Sequence, residues 1–273
     1  VNFISVGLSE ASATVGGTTR AYLNGTVGSA QNVTVFAKTD GDAVSNADAV
    51  AGGTVTLASG YGAKATATVS SSVVEATIGN GAHVTASNQV KVWALGDSRA
   101  SADADGDNGG LSVGTLGISN VGVSSNLAIT ARIGENAQVS APTIIVEATQ
   151  FDPGSGFFTA LADGTTSADA LLAGVGSLLA NASYTVTVAA TVGTGAQLTA
   201  TGYINVTSRA NNRVKSIANG TASGLLAAGY VEGNATANTT TTTTVGMNAV
   251  LDAQDDVLID ATSNVTVLTD VDG

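Results

Sequence analysis

Apolar residues alternate with small or polar ones along most of this chain, and the alternation has a period of two. In Val90-Lys-Val-Trp-Ala94, the residues Val90, Val92 and Ala94 share one side while Lys91 and Trp93 share the other. That is the pattern of a half-buried strand. Gly, Asn and Asp punctuate the runs and supply turns. Residues 167–180 are rich in Ala and Leu and invite a helical reading. Gly174 and Gly176 interrupt them, however, and corresponding stretches elsewhere have strand-like sequence. Strand is therefore predicted there too, and the fold class is all-β.

The alternation is organised into repeats. Ala76-Thr-Ile-Gly-Asn-Gly-Ala-His-Val-Thr-Ala86, followed by Val90-Lys-Val-Trp-Ala94, returns as Ala131-Arg-Ile-Gly-Glu-Asn-Ala-Gln-Val-Ser-Ala141 with Ile144-Ile-Val-Glu-Ala148. Further copies start at Ala190 and Thr243, and a degenerate one starts at Ala21 and closes with Val33-Thr-Val-Phe-Ala37. The anchors Leu23, Ile78, Ile133, Val192 and Val245 are 55, 55, 59 and 53 residues apart. Periods of this order indicate a solenoid, propeller or array. Propeller blades carry bulkier aromatic signatures, and here only 4% of residues are aromatic. The prediction is a parallel β-solenoid (β-helix) of about five degenerate repeats of 53–59 residues. With coils of about 20 residues, each repeat makes two to three coils. The whole then makes a rod of roughly 13 or 14 turns and about 65 Å. Pro occurs only at Pro142 and Pro153 and no linker is visible, so residues 1–273 read as one elongated domain, a segment of a longer chain or one subunit of a filament.

Composition narrows the function classes. The chain has 34 Gly in 273 residues, no Cys and a net charge of −12, with a pI near 4.1. So acidic a chain is a poor partner for nucleic acid or an anionic membrane surface. No run of about 18 apolar residues suggests membrane insertion. Without Cys there is neither a disulfide framework nor a thiolate metal site. Small residues at inward positions suit a narrow interior in which like residues stack in columns.

The unit Ala-x-Ile-Gly-x-Gly-Ala-x-Val-x-Ala, then Val-x-Val-x-Ala, then an Ala-Asp-rich and Gly-rich return, resembles the repeats of giant bacterial surface proteins. These are filamentous haemagglutinin-like and leukotoxin-like adhesins, and the resemblance runs from about Val6 to Asp272. It implies a secreted or cell-surface solenoid with a structural or adhesive role, and brings no catalytic motif. The leading expectation is a rod that assembles with itself, axially through solenoid ends and laterally through loops. The alternative is a module that binds a cell-surface glycan or receptor through outward aromatics, with the rod as spacer.

Candidate chemistry is sparse. The one histidine, His83, falls in a slot held by Gln138, Gln197 and Val250 in other repeats and reads as an exposed surface residue, so no enzyme is expected. Asp103, Asp105 and Asp107 in Asp103-Ala-Asp-Gly-Asp107-Asn resemble the first half of a calcium loop. The acidic ligand due at the twelfth position is Gly114, so they make a weak Ca²⁺ candidate beside the plainer reading of a solvated strand edge. Asp252, Asp255, Asp256 and Asp260 read as a solubilising face. Phe36 and Trp93 occupy one column and point outward by alternation, as a surface cover or a stacking patch for a sugar. The longest repeat holds Phe151-Asp-Pro-Gly-Ser-Gly-Phe-Phe158, about four residues longer than its counterpart near Gly96. Phe151, Phe157 and Phe158 are thus expected either to fold back onto the rod or to dock on a neighbour. The threonine run from Thr239 to Thr244 reads as sheet surface.

Overall fold

The computed structural model describes residues 2–51, 55–108, 110–151 and 157–273. Every strand pairing among them is parallel, and the strands fall into two sheets, here A and B. Going once around, the chain contributes a long stretch to sheet A, turns, contributes a long stretch to sheet B, and returns one layer on. Coil 1 is β1 (Asn2–Val15) and β2 (Thr18–Leu23) in A, then β3 (Thr26–Ala51) in B. Coil 2 is β4 (Val55–Ile78) and β5 (His83–Asn108). Coil 3 is β6 (Leu111–Ile133), then β7 (Gln138–Ser140), β8 (Thr143–Gln150) and β9 (Ala160–Asp169) in B. Coil 4 is β10 (Ala173–Val192), β11 (Gln197–Ala200) and β12 (Ile204–Ser223). Coil 5 is β13 (Leu226–Val245), β14 (Val250–Ala253) and β15 (Val257–Asp272). Residues 167–180 are strand in β9 and β10 apart from the turn between them, as their neighbours imply.

The fold is thus the parallel solenoid the repeats predict, but the coil is larger than expected. Val33, Val90, Ile144, Ile204 and Val257 are successive partners in one column, so one repeat is one coil. Instead of 13 or 14 narrow coils, the described residues make five wide ones. At about 4.8 Å per coil the stack is only about 24 Å deep, while a 24-residue strand covers roughly 80 Å. The reason is that the Gly, Asp and Asn residues read as corners mostly lie within continuous strands.

Two kinds of position build the coil. The first is the tight turn between the sheets. Ala82 N, Ala196 N and Ala249 N each donate to the carbonyl of the Gly three residues earlier, at 3.2–3.3 Å. The third turn residue has positive φ in Gly81 (64°), Asn136 (54°), Gly195 (69°) and Asn248 (57°), a conformation Gly and Asn tolerate best. The turns also stack: Gly81 N donates to Glu135 O at 2.8 Å and Asn136 N to Thr194 O at 2.9 Å. The second kind is the inward column. Ala76, Ala131 and Ala190 are fully buried in one column, and Val92, Val146 and Val206 in another. The two inner faces meet directly along their length. Ser208 Oγ lies 2.7 Å from Thr243 Oγ1, and Ser216 Oγ donates to Ala180 O at 2.8 Å. The core is accordingly one thin layer between two sheets.

Large side chains in that layer need small partners. Tyr61 is buried and its hydroxyl lies 2.8 Å from Thr166 Oγ1. A Cβ on Gly117 would sit 2.0 Å from that hydroxyl, and one on Gly106 would sit 2.4 Å from the ring. Tyr184 is buried with its hydroxyl accepting from Gln150 Nε2 at 2.9 Å. Burial drives its pKa up to about 12, so it stays a neutral hydrogen-bonding group.

Candidate functional site

Asp103, Asp105 and Asp107 lie on β5, on the outer face of sheet B, with Ala104 and Gly106 buried between them. Alternate residues of a strand are about 6.6 Å apart, so the three carboxylates form a row rather than a cage. Among the described residues no group of three or more His, Cys, Asp or Glu side chains is placed to hold a metal ion. Gly106 does not turn a loop; it makes room for Tyr61. Instead the row continues into neighbouring coils. Asp103 is flanked by Asn46 and Asp163, and Asp105 by Asp48 and Thr165, whose hydroxyl donates to Asp105 Oδ1. Asp48, Asp105, Asp107 and Asp272 line a shallow groove of about 890 Å³. Partial burial, then the like charges of Asp105, Asp163 and Asp48, push the Asp103 pKa up to about 6. Burial, then Asp105, also raises that of Asp163.

Phe36 and Trp93 are ladder partners on the outer face of sheet B. Their rings stack with centroids 4.7 Å apart and planes inclined by 29°. Lys91 Nζ lies 4.0 Å from the Trp93 ring centroid and 3.1 Å from Glu147 in the next coil. The aromatic column therefore knits coils 1, 2 and 3 together, and Trp93 has its contacts within the chain. Phe36 remains the more open ring, 42% exposed.

The insertion leaves sheet B between β8 and β9. Residues 152–156 of this expected contact loop lie outside the described residues. Of the flanking aromatics, Phe151 and Phe157 are exposed and Phe158 is half-buried. Two of them meet cations of the neighbouring coils: Arg99 lies 5.4 Å from the Phe157 ring and Arg213 lies 5.1 Å from the Phe158 ring. These contacts tie Phe157 and Phe158 to neighbouring coils, while Phe151 and Phe157 keep exposed surface. His83 is exposed with Nδ1 3.1 Å from Gln138 Oε1, the residue in the same slot of the next coil. Asp252, Asp255, Asp256 and Asp260 spread over β14, the turn after it and β15 at the open side of coil 5.

Two features were not anticipated in their location. First, the edges without a partner strand among the described residues are whole strands: there β1, β2 and β3 pair only with coil 2, and β13, β14 and β15 only with coil 4. Apolar residues of coil 5 such as Ile259 and Val267 are 50% and 44% exposed where their counterparts in coil 4, Val206 and Val214, are fully buried. Second, the outer face of sheet A is apolar at the end where β6 begins. Ile4, Val6, Leu8, Leu57, Leu116, Ile118, Val175, Leu226 and Tyr230 are all exposed there. Period-two alternation hid this face, because Gly and Ala alternate with the large residues and both faces read as apolar. Comparison with known protein families, with curated proteins and with solved structures finds no match to this chain.

Proposed function

We propose that this protein is a structural element of a secreted or surface-displayed fibre, extended by pairing the open edge of coil 5 with the open edge of coil 1 of another copy. The observation that supports this is the pair of edges on coils 1 and 5. Each presents two long strands with unpaired backbone groups and apolar inward side chains, a template for further pairing. Continuing each column by one coil sets Val257 on Val33, Ile259 on Val35 and Ala261 on Ala37 of the next copy, so the thin core runs on without a change of residue class. The aromatic column has its contacts inside the chain, which favours this assembly role over glycan recognition.

The test is electron microscopy of the purified chain over a range of concentrations. Fibres whose axial repeat is about 24 Å, five coils of about 4.8 Å, are the expected result. Particles that remain single at all concentrations would remove axial assembly as the function, and glycan-array binding by the parent and a Phe36→Ala variant would then decide the adhesive alternative.

A further inference from the structure

A buried hydroxyl without a hydrogen bond is destabilising, and the thin core holds one at each open edge. Ser45 of β3 is buried, and the Thr241 hydroxyl of β13 is shielded from solvent. Among the described residues neither Ser45 Oγ nor Thr241 Oγ1 has a hydrogen-bond partner. Their ladder neighbours explain this: Ser45 pairs with Ala102 and Thr241 with Val188, whose side chains neither donate nor accept. Thr56 and Ser119 also lack partners for their hydroxyls, but they sit in coils 2 and 3 with strands on both sides. Ser45 and Thr241 belong to coils 1 and 5, and each has one side of its ladder open.

We propose that these two hydroxyls set the register of the joint between copies, each bonding to a hydroxyl that the other copy supplies. This rests on the axial assembly proposed above. The inward column Ser45–Ala102–Ala162–Ser216–Thr269 has a hydroxyl at each end. So has the column Thr19–Val74–Ile129–Val188–Thr241 in sheet A. With coil 5 of one copy on coil 1 of the next, Thr269 lands beside Ser45 and Thr241 beside Thr19. The chain already contains a pair of this kind: Ser59 and Thr115 are ladder partners in coils 2 and 3, and their hydroxyl oxygens lie 3.0 Å apart.

Only one register satisfies both. The smallest slip that keeps inward residues inward is two positions. It moves Thr269 onto Ala43 or Ala47 and leaves Ser45 facing Val271 or Val267. In sheet A the same slip moves Thr241 onto Ala21 or onto the glycines before β2, Gly16 and Gly17. Either way the two buried hydroxyls stay unpaired. The apolar columns discriminate far less, because Ala and Val serve at many inward positions of both edges. The partner this joint fits is therefore the opposite edge of a second copy, set residue for residue on the existing columns.

Pelleting measures the critical concentration for fibres, and urea denaturation below it measures the stability of the free chain. Ser45→Ala and Thr241→Val should each raise the critical concentration about fivefold, the effect of one lost hydrogen bond, because the facing hydroxyl of the other copy is dehydrated with no partner. In the free chain each substitution removes an unpaired buried hydroxyl, so the urea midpoint should hold or rise. A residue needed only within its own coil would lower it, and that result would overturn the proposal. Ser45→Ala combined with Thr269→Val leaves no hydroxyl unpaired in that column and should return the critical concentration to within about twofold of the parent. Single variants that assemble at the parent's critical concentration overturn the hydroxyl pairing while axial stacking stands. So does a double variant that assembles no better than Ser45→Ala. A parent that forms no fibres overturns both readings.

Discussion

A Cβ on Gly106 would lie 2.4 Å from the Tyr61 ring, and this explains an Asp-Gly pair that looks like metal chemistry in the sequence. Outward Asp105 and inward Gly106 answer to different neighbours, water on one side and a phenol ring on the other. The row of carboxylates has a consequence of its own. The folded protein raises the Asp103 pKa to about 6, so it binds that proton more tightly than the unfolded chain does. Stability should therefore increase as pH falls from above 6 towards 4, and be lowest, for this group, above pH 6. Urea midpoints measured at pH 7.5 and pH 5 should show the increase. Asp103→Asn should raise the midpoint at pH 7.5 and narrow the gap between the two, and an unchanged gap would remove Asp103 as its source. The alternation of outward Asp and inward Ala was legible from residue order alone. The role of Gly106 was not, because the ring it accommodates belongs to another strand across the core.

At the scale of elements, the turn motif was the most legible feature, since the Ile/Val-Gly-x-Gly/Asn-Ala sequence names both of its constraints. Its third residue takes positive φ. Its first Gly lies against the turn of the preceding coil: a Cβ on Gly134 would be 2.5 Å from Asn80 N and 2.6 Å from Gly79 C. Backbone cannot yield as a flexible side chain can. Gly134→Ala should cost about 1–3 kcal/mol, the usual range for overpacking, whereas Asn136→Gly should leave stability unchanged or slightly higher. Urea denaturation of the two variants checks this, and equal stability of Gly134→Ala and parent would contradict the stacked turns. What the sequence did not disclose was the length of the strands between turns. A 24-residue strand and three short strands with glycine corners share the same period-two pattern. Only the facing partners, such as Leu178 and Val121 close to Gly164, reveal that the glycine is a spacer within a strand.

At the scale of the molecule, the coil edges carry charge as well as apolar columns. Extending the ladders by one coil places Glu232 beside Glu10 and Asp272 beside Asp48 of the next copy, following the columns Glu10–Lys64–Asn120–Leu179–Glu232 and Asp48–Asp105–Thr165–Asn219–Asp272. Like charges on neighbouring strands repel, so axial growth should speed up with salt, which screens them. Glu232→Lys should lower the critical concentration roughly fivefold at low salt, the effect of about 1 kcal/mol. Light scattering during growth measures both, and growth that slows with added salt would contradict this register. The exposed apolar face of sheet A was the least legible feature. Whether Leu116 or Gly117 points inward depends on where Tyr61 lies, and no local pattern records that.

One repeat per coil also shapes how such a chain can fold. No strand can form a first ladder bond until the chain has travelled a full circuit of about 54 residues, from Asn2 to Thr56 for example. Closing a loop of that length costs about 3.5 kcal/mol before any contact repays it, and contacts of such separation make folding slow. Once two coils have met, each later circuit arrives at an edge already in place. The slow event is therefore the meeting of the first two coils, and the remaining coils add to it in turn, as on a template.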